Sequence, residues 1–346
     1  MRILTLETTC DETAAAVVND RLEVLSSVVA SQDKLHERFG GVVPEIASRA
    51  HVERILPVID ETLKKAGLKL SQLDAIAVAV TPGLAGSLLV GLSAAKGLAV
   101  ATGLPLVAID HLQAHIYAAR IAAGVDVFPC VGLIASGGHS NLYRCAGPLD
   151  FELLGATIDD AAGEAFDKVA SMLGLPYPGG PAIERTAQGG NPAAYSFPRS
   201  LIHEHDRLEF SFSGLKTAVR YQLSRDSATE VNAAAAKLSP QELSDLAASF
   251  QEAVVDVLVA KSLAAVRFTG FKTLCVGGGV AANGRFRQKL TEGTDRAGVR
   301  LFLAPPALCT DNAVMGAIAV ERLKAGLVSE LDLDITAGVV RAARAS

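Results

Sequence analysis

The feature that most constrains the fold is a set of structural units that occurs twice along the chain in the same order. A short apolar strand, a polar turn and a return strand are predicted at residues 2–7, 8–13 and 14–18, and again at residues 128–135, 136–140 and 141–145. An apolar strand then leads through a glycine loop into a helix, at residues 74–101 and at residues 273–290. Such units recur in any α/β protein, but two pairs in the same order favour an internal duplication that builds two α/β lobes.

Segments with helical periodicity occupy much of the remaining chain. Residues 43–66 are predicted to be helical after Pro44, and residues 239–268 are predicted to form a long helix that Ser239 and Pro240 open. Residues 189–206 are rich in Gly, Pro, Ser and His and lack periodicity. We expect them to form a long surface segment, which is often functional.

The charge and cysteine content limit the classes of function and location. A net charge of −5 argues against a general nucleic-acid binder, so any RNA contact must be local. The N-terminal residues resemble a strand rather than a signal peptide. The apolar run at 74–100 is interrupted by polar, glycine and proline residues, which argues against a membrane-spanning helix. The five cysteines contain no C-x-x-C pair. We therefore expect a cytoplasmic protein with reduced thiols and no membrane association.

Clusters of basic side chains are candidates for contacts with RNA phosphates. Each cluster taken singly is better interpreted as a solvated helix face. The clusters are Arg199 with Arg207, Lys216 with Arg220, and Arg285 with Arg287 and Lys289.

A histidine pair is the first candidate for metal binding. His111 and His115 lie four residues apart, so on a helix both imidazoles project from one face, although a solvated pair of histidines is the plain alternative. A zincin protease would need Glu after the first histidine, and Leu112 stands there. Asp311 is the third candidate ligand, with a helix N-cap as its alternative role. Two histidines and one carboxylate suit Fe(II) or Zn and suit Mg poorly.

Two glycine loops are candidates for nucleotide binding. Ser136 to Ser140 (SGGHS) form a turn between strands whose backbone N–H groups can cradle a phosphate, although most such turns only reverse the chain. The glycines at 277–279 follow a strand and precede a helix, which places Asn283 beside an anionic or adenine-bearing ligand, without the Rossmann spacing. Asp167 and Glu184 flank the rigid turn predicted at 177–181, where they either hold ribose hydroxyls or are ordinary surface charges.

Together these motifs resemble the TsaD (Gcp, YgjD) family of tRNA threonylcarbamoyladenosine transferases, within the actin-like and Hsp70-like (ASKHA) ATPase superfamily. The resemblance spans nearly the whole chain. The sequence departs from the family's usual motifs at two positions. Glu12 stands where Asp is common and keeps a carboxylate, and Ser140 stands where Thr is common and keeps a hydroxyl. The matching motifs are ETTCDETA at 7–14, FGGVVPEIASRAH at 39–51, TPGLAGSLLVG at 81–91, HLQAH, SGGHS, AFDKVASMLGLPYPGGPAIE at 165–184, FSFSGLKTA, VGGGVAANGRFR and CTDNAVMG.

The resemblance implies a two-lobed α/β fold of duplicated ribonuclease H-like domains with the active site in the interlobe cleft. The N-terminal lobe would comprise residues 1–126 and carry the histidine pair. The C-terminal lobe would comprise residues 127–346 and carry the SGGHS loop, the adenylate-binding residues and Asp311, with its last helix packing on the N-terminal lobe.

The resemblance also implies a reaction, a cofactor and partners. The threonylcarbamoyl group of threonylcarbamoyl-AMP would pass to the N6 amine of the adenosine 3′ to the anticodon in tRNAs that read ANN codons, with release of AMP. The implied partners are the tRNA anticodon loop, a TsaB-type paralogous subunit and a TsaE-type ATPase, and the helix at residues 43–63 is the candidate docking face. The implied metal is Fe(II), with Zn(II) as the alternative, bound by His111, His115 and Asp311, and the implied adenylate contacts are Ile134, Ala135, Ser136, Gly137, Gly138, His139, Asp167, Gly180, Glu184 and Asn283.

The reaction needs a proton acceptor, and two functions of other classes remain as alternatives. Asp11 or Glu12, on the turn opposite the SGGHS loop, is the candidate acceptor. An ATPase or kinase is compatible with such a fold, although Mg–ATP sites prefer oxygen ligands. A noncatalytic scaffold is the other alternative, and it would have no reason to retain the histidines.

Overall fold

The computed structural model describes residues 1–204, 206–224 and 228–338, with side chains of residues 228–230 excepted. The strands are β1 (Arg2–Glu7), β2 (Glu12–Asn19), β3 (Val24–Ser31), β4 (Ala75–Thr81), β5 (Leu106–Asp110), β6 (Cys130–Ala135), β7 (Ser140–Gly147), β8 (Asp150–Ala156), β9 (Thr273–Gly277) and β10 (Arg300–Leu303). The α-helices are α1 (Asp33–His36), α2 (Pro44–Ala66), α3 (Ala85–Thr102), α4 (His111–Ala123), α5 (Ala162–Met172), α6 (Gly179–Thr186), α7 (Ser213–Leu223), α8 (Ala228–Ala235), α9 (Pro240–Thr269), α10 (Gly284–Ala297) and α11 (Ile318–Lys324).

The two five-stranded sheets have the same topology. The first has the order β3-β2-β1-β4-β5, and the second has the order β8-β7-β6-β9-β10. In each sheet the central strand, β1 or β6, pairs antiparallel with the next strand in sequence and parallel with a strand that follows a long crossover. The five strands of each sheet lie in the same order, and the pairings of β6 with β7, of β6 with β9 and of β9 with β10 have the directions of their counterparts in the first sheet, which confirms the predicted α/β fold and its internal duplication.

The first sheet is covered on both faces, which is why its central strands are apolar throughout. α2 and α3 pack on one face, around Leu4, Leu6 and Ile76. On the other face, Ala14 and Ala16 of β2 pack against Ala313 and Val314 of a 3₁₀ turn that precedes α11. α2 begins at Pro44, where a missing N–H costs nothing, and ends at Gly67 with φ 65°.

The described chain forms two compact units whose boundaries differ from the predicted lobes. One comprises Met1–Val127, Gly147–Phe151 and the described residues from Ala307 on, and the other comprises Phe128–Ala146 and Glu152–Pro306. Asp311 therefore lies in the same unit as His111 and His115, whereas the sequence prediction placed it in the lobe at residues 127–346. The reason is that the 3₁₀ turn Ala313–Ala317 packs on the first sheet, where Thr5 Oγ1 donates to Ala313 O at 2.6 Å.

Most predicted elements agree with the structure to within a few residues, and two local differences stand out. Gly179 and Gly180 were assigned to a rigid turn, but they begin α6, after a cis Tyr177–Pro178 bond. Asp311 was considered as a helix N-cap, but the chain after it first forms the 3₁₀ turn and becomes α-helical only at Ile318. The predicted surface segment is confirmed, since the described residues between Thr186 and Ser213 form no helix and no strand beyond a single bridge at Phe210.

α3 has the length and hydropathy of a membrane-spanning helix, with a mean hydropathy of 1.4. Glycine, proline and polar residues interrupt the apolar run at 74–100, which argued against a membrane span. In the structure Leu88, Leu92, Ala95 and Ala99 bury one face of α3 against the first sheet, which is what a core helix of an α/β fold does.

Candidate active site

The candidate metal site lies at the carboxyl edge of the first sheet, where loops from neighbouring strands meet. β1, β4 and β5 run parallel, so the loops that follow Glu7, Thr81 and Asp110 lie on the same side. Asp110 caps α4 by accepting from the backbone N–H groups of Leu112 and Gln113. This cap starts α4 at His111, so that His111 and His115 lie one turn apart on the same face.

The structure brings the three predicted metal ligands together. His111 Nε2 lies 3.5 Å from Asp311 Oδ1, and His115 Nε2 lies 3.4 Å from the same oxygen. Nitrogen and oxygen ligands at about 2.1 Å from one ion, in tetrahedral or octahedral geometry, are about 3.0–3.4 Å apart. Both imidazoles are buried, and the Asp311 side chain is 18% exposed. The spacing therefore fits one divalent ion with an open side towards solvent.

The hydrogen bonds around His115 provide a test of whether the group is suited to a metal. His115 is fully buried, yet neither of its ring nitrogens has a hydrogen-bonding partner of acceptable geometry within the described chain. Buried polar atoms are nearly always satisfied, and leaving one without a partner costs about 1–3 kcal/mol. A metal ion would satisfy Nε2, so the arrangement fits a metal site.

A buried glutamate that the sequence analysis did not single out orients His111. Glu7, at the end of β1, is 3% exposed, and its Oε2 lies 3.0 Å from His111 Nδ1, while its Oε1 accepts from the backbone N–H of Thr9 at 2.6 Å. The carboxylate can only accept, so Nδ1 donates, and Nε2, on the side of Asp311, is the ring nitrogen through which His111 would bind a metal ion. This is the usual arrangement in which a carboxylate fixes the tautomer of a metal-binding histidine.

The electrostatic environment of this group favours a bound positive charge. Burial opposes a charged imidazole at His111, but the negative charges of Asp311 and Glu7 outweigh burial and raise its pKa to about 9. Burial lowers the pKa of His115. The two carboxylates thus attract a cation to the histidines. A divalent metal ion balances their negative charge better than a single proton does.

The candidate proton acceptors lie on the turn between β1 and β2. The carboxyl oxygens of Asp11, Glu12 and Asp33 lie within 4.8 Å of one another. Burial is the main cause that raises the pKa of Asp11, and burial together with the charge of Asp11 raises the pKa of Glu12 well above its usual range. The pair therefore holds a proton more tightly than exposed acids do, which brings it closer to the range in which a carboxylate is an effective general base.

The predicted adenylate-binding residues form a contiguous ring in the second unit. The parallel strands β6 and β9 end together, so the SGGHS loop adjoins Gly278. Ser140 Oγ accepts from Ala162 N at 2.9 Å, which joins the loop to the start of α5. The ring then closes through Asp167 Oδ1, which accepts from Gly179 N at 2.7 Å, and Glu184 Oε1, which accepts from Gly284 N at 2.7 Å.

Individual members of this ring differ in what they can offer a ligand. Gly137 and Gly138 are exposed at the tip of the loop, and Gly180 lies in the first turn of α6, so their backbones are accessible. Ile134 and Ala135 are fully buried in β6, which leaves only their backbone for contact, and Ser136 and His139 are nearly buried. Asn283 caps α10 through Oδ1 and donates from Nδ2 to Gln251. The starts of α5, α6 and α10 adjoin the ring, and a backbone N–H of each donates to Ser140, Asp167 or Glu184.

The basic clusters considered for RNA contacts are largely paired with acids of the same unit. Arg285 and Lys289 both bind Glu252, at 2.7 and 2.6 Å. Arg199 binds Asp256 at 3.0 Å, and Lys216 binds Asp160 at 2.7 Å. Their interpretation as side chains with a structural role is therefore the better one.

The chain belongs to the class of two-sheet α/β proteins, and its fold is shared by two solved structures. A full-length HypF structure aligns with a TM-score of 0.61 at 14% identity over 95% of this chain and 47% of that one. The activator of the 2-hydroxyisocaproyl-CoA dehydratase from Clostridium difficile aligns with a TM-score of 0.52 at 13% identity over 94% of this chain and 97% of that one.

Sequence comparison then identifies the family. The model for TsaD, tRNA N6-adenosine threonylcarbamoyltransferase, matches residues 23–318. The enzyme of that name from Rhodopirellula baltica is 53% identical over 98% of this chain and 97% of its own length, and that from Geobacter sp. strain M21 is 51% identical over 96% and 95%. The chain belongs to the TsaD family, which confirms the resemblance in the motifs.

Proposed function

We propose that this chain transfers the threonylcarbamoyl group of threonylcarbamoyl-AMP to the N6 amine of the adenosine 3′ to the anticodon in tRNAs that read ANN codons. The observation that carries the proposal is the buried His111, His115 and Asp311 group in a chain of this family. An exocyclic adenine amine is a weak nucleophile because its lone pair is delocalised into the purine. Catalysis therefore depends on positioning an activated acyl donor and on removing a proton from the amine.

The second unit offers the features that an adenylate needs. The exposed amides of Gly137 and Gly138 can donate to the phosphate, where negative charge grows as the bond between the carbamoyl carbon and the phosphate oxygen breaks. The ring of Asp167, Gly180, Glu184 and Asn283 supports the ribose and adenine. AMP leaves with the phosphate oxygen, and the amine nitrogen forms the new bond to the carbamoyl carbon.

The first unit offers the cation site and the proton acceptor. A divalent ion, Fe(II) or alternatively Zn(II), held by His111, His115 and Asp311 would act as a Lewis acid towards substrate oxygens. Asp11 accepts the proton that the N6 amine loses, and burial raises the pKa of both Asp11 and Glu12. Asp11→Asn should lose transfer activity while retaining bound metal.

The deciding experiment measures transfer of labelled threonine from threonylcarbamoyl-AMP to an unmodified tRNA that reads ANN codons, together with AMP release, in the presence of the partner proteins. Wild type should transfer the label. The His111→Ala, His115→Ala double variant should lose both metal and transfer. Absence of transfer by the wild type, with partners that are active alongside another family member, would reject the proposed reaction.

The protein partners are part of the proposal. A TsaB-type paralogous subunit docks on the outer face of α2, where Val52 and Leu56 lie one turn apart and are each 63% exposed, and a TsaE-type ATPase joins that complex in the cytoplasm. Leu56→Glu should abolish co-elution with the TsaB-type subunit on gel filtration, whereas Glu53→Gln, on the same helix, should not. Co-elution of the Leu56→Glu variant would place the interface elsewhere.

A further inference from the structure

A buried histidine joins both ends of the segment that carries the acid pair. His51, on α2, is fully buried. Its Nε2 lies 2.9 Å from the backbone carbonyl oxygen of Cys10, and its Nδ1 lies 2.8 Å from Thr13 Oγ1. Cys10 and Thr13 flank Asp11 and Glu12 directly, so one imidazole spans the two-residue segment.

The partners of His51 define its protonation state. A carbonyl oxygen only accepts, so Nε2 carries the hydrogen, and the Thr13 hydroxyl then donates to a bare Nδ1. This tautomer is assigned from the hydrogen-bond network. Burial also lowers the pKa of His51, which agrees with a neutral ring.

The same imidazole begins a longer buried chain of polar side chains. Gln32, 1% exposed, has its Nε2 3.4 Å from the His51 ring, and its backbone N–H donates to the Asp11 carbonyl at 3.0 Å. Gln32 Oε1 lies 3.3 Å from Nε2 of the fully buried His36, whose Nδ1 accepts from Val43 N at 3.2 Å. The Cys10–Thr13 turn is therefore tied to the residue that precedes α2, through the side chains of His51, Gln32 and His36.

We propose that His51 is a positioning residue for the reaction: its neutral Nε2–H imidazole fixes the turn so that Asp11 and Glu12 are held at a set place beside the metal site. The role attributed to the two acids rests on the proposed function. The position of the turn itself does not depend on the proposed function, because it can be measured without catalytic turnover. A displacement of about 1 Å in a catalytic group can lower a rate by about 100-fold.

Three substitutions separate positioning from folding. His51→Gln places an amide N–H near the site of Nε2 and keeps the bond to the Cys10 carbonyl, whereas His51→Asn places its amide near Nδ1 and loses that bond. Thr13→Val removes the donor to Nδ1 at the other end of the segment. His203→Asn is the matched control, since that histidine is exposed on the surface segment.

The experiment measures kcat and KM for tRNA with the full set of partners, bound metal, and the thermal midpoint of each variant. We expect His51→Asn and Thr13→Val to lose about 10-fold to 100-fold in kcat with KM and metal content unchanged, and His51→Gln to recover to within about fivefold of wild type. Equal activity of His51→Asn and His51→Gln, or a loss confined to KM, would overturn the proposal.

A second measurement is independent of transfer activity. The ¹⁵N spectrum of the imidazole in the full-length wild type should show a protonated Nε2 and a bare Nδ1 at His51 at neutral pH. Carboxyl ¹³C shifts of Asp11 and Glu12 should change in His51→Asn and remain unchanged in His203→Asn. A protonated Nδ1, or unchanged carboxyl shifts, would overturn the positioning role, whereas inactive wild type with these spectra would reject only the proposed reaction.

Discussion

At the residue scale, the candidate metal ligands could be selected from the sequence, whereas the carboxylate that contacts His111 could not. His111 and His115 are four residues apart, so local helical geometry alone puts them on one face. Glu7 lies 104 residues from His111 in sequence, and only the parallel pairing of β1 with β4 and of β4 with β5 brings them within 3.0 Å. Asp311 was selected from the sequence as a candidate ligand, but its place in the first unit was not, because it depends on the packing of a 3₁₀ turn far along the chain.

Replacing Glu7 should weaken metal binding more than it weakens the fold. In Glu7→Gln the neutral amide no longer stabilises the donated Nδ1–H of His111, and loss of such a carboxylate typically lowers metal affinity about 10-fold to 100-fold. Competition with a chelator, with metal content read by elemental analysis, measures the change. Glu45→Gln, exposed in the first turn of α2, is the control. Unchanged affinity in Glu7→Gln would mean that His111 is oriented by packing alone.

At the element scale, most bounds followed from periodicity and caps, whereas contacts between elements did not. The start of α9 was predictable because Ser239 and Glu242 form a capping box before an apolar run. The pairing of Arg285 and Lys289 with Glu252 was not, since it depends on how α10 packs against α9 rather than on a local pattern. From the sequence alone, the basic cluster on α10 could therefore either bind RNA phosphates or lie on a solvated helix face. The position of α9 beside α10 shows that Arg285 and Lys289 pair with Glu252.

The Glu252 ion pairs should give α9 and α10 a pH-dependent contribution to stability. Hydrogen bonds from Arg285 and Lys289 lower the pKa of Glu252 from 4.5 to about 2. A carboxylate with a lowered folded-state pKa stabilises the fold above its unfolded pKa, and that contribution is lost as pH falls from about 4.5 towards 2. Glu252→Gln should therefore cost about 1–2 kcal/mol at pH 7 and progressively less at lower pH.

Urea midpoints at a series of pH values test this expectation. Glu292→Gln, exposed on α10, should change stability by less than about 0.5 kcal/mol throughout. A cost of Glu252→Gln that stays constant down to acid pH would contradict the ion-pair origin of the effect.

The start of α5 lies so close to the SGGHS loop that only glycine fits at residue 163. A Cβ there would lie 2.5 Å from Ser136 O and 2.8 Å from Gly137 N, both backbone atoms. Gly163→Ala should displace the loop and lower the affinity for AMP by about tenfold, an effect of about 1.4 kcal/mol. Calorimetric titration with AMP measures it. Gly97→Ala, where a Cβ meets no atom within 4 Å, should bind AMP as the wild type does.

At the scale of the whole molecule, the duplication was the most informative part of the sequence. Strand, turn and return-strand patterns in the same order predicted two copies of one topology, and the two sheets have that topology. The assignment of the C-terminal residues to a unit was not predictable. The described residues from Ala307 on follow the second copy in sequence but pack with the first unit. Packing between residues far apart in sequence, rather than local pattern, decides that return.

Charge distribution sets an expectation for how the molecule binds tRNA. The chain has a net charge of −5. Four of its basic side chains form ion pairs with acids of the same unit: Arg199, Lys216, Arg285 and Lys289. We therefore expect these four side chains to contribute little to phosphate binding, and the isolated chain to neutralise few phosphates. Each phosphate contact contributes about 0.7 to the slope of log affinity against log salt for single strands, so we expect a slope smaller in magnitude than about 3 for the isolated chain.

Filter binding of an ANN-reading tRNA between about 50 and 200 mM salt measures this slope, first for the isolated chain and then with the partner subunits. The complex should show a steeper slope, because the partners then supply the additional phosphate contacts. Lys289→Ala should leave the slope of the isolated chain unchanged, since that ammonium is held by Glu252, whereas a lysine that binds a phosphate would reduce the slope by about 1. A steep slope that falls in Lys289→Ala would mean that tRNA displaces the ion pair, and that α10 is a phosphate-binding surface after all.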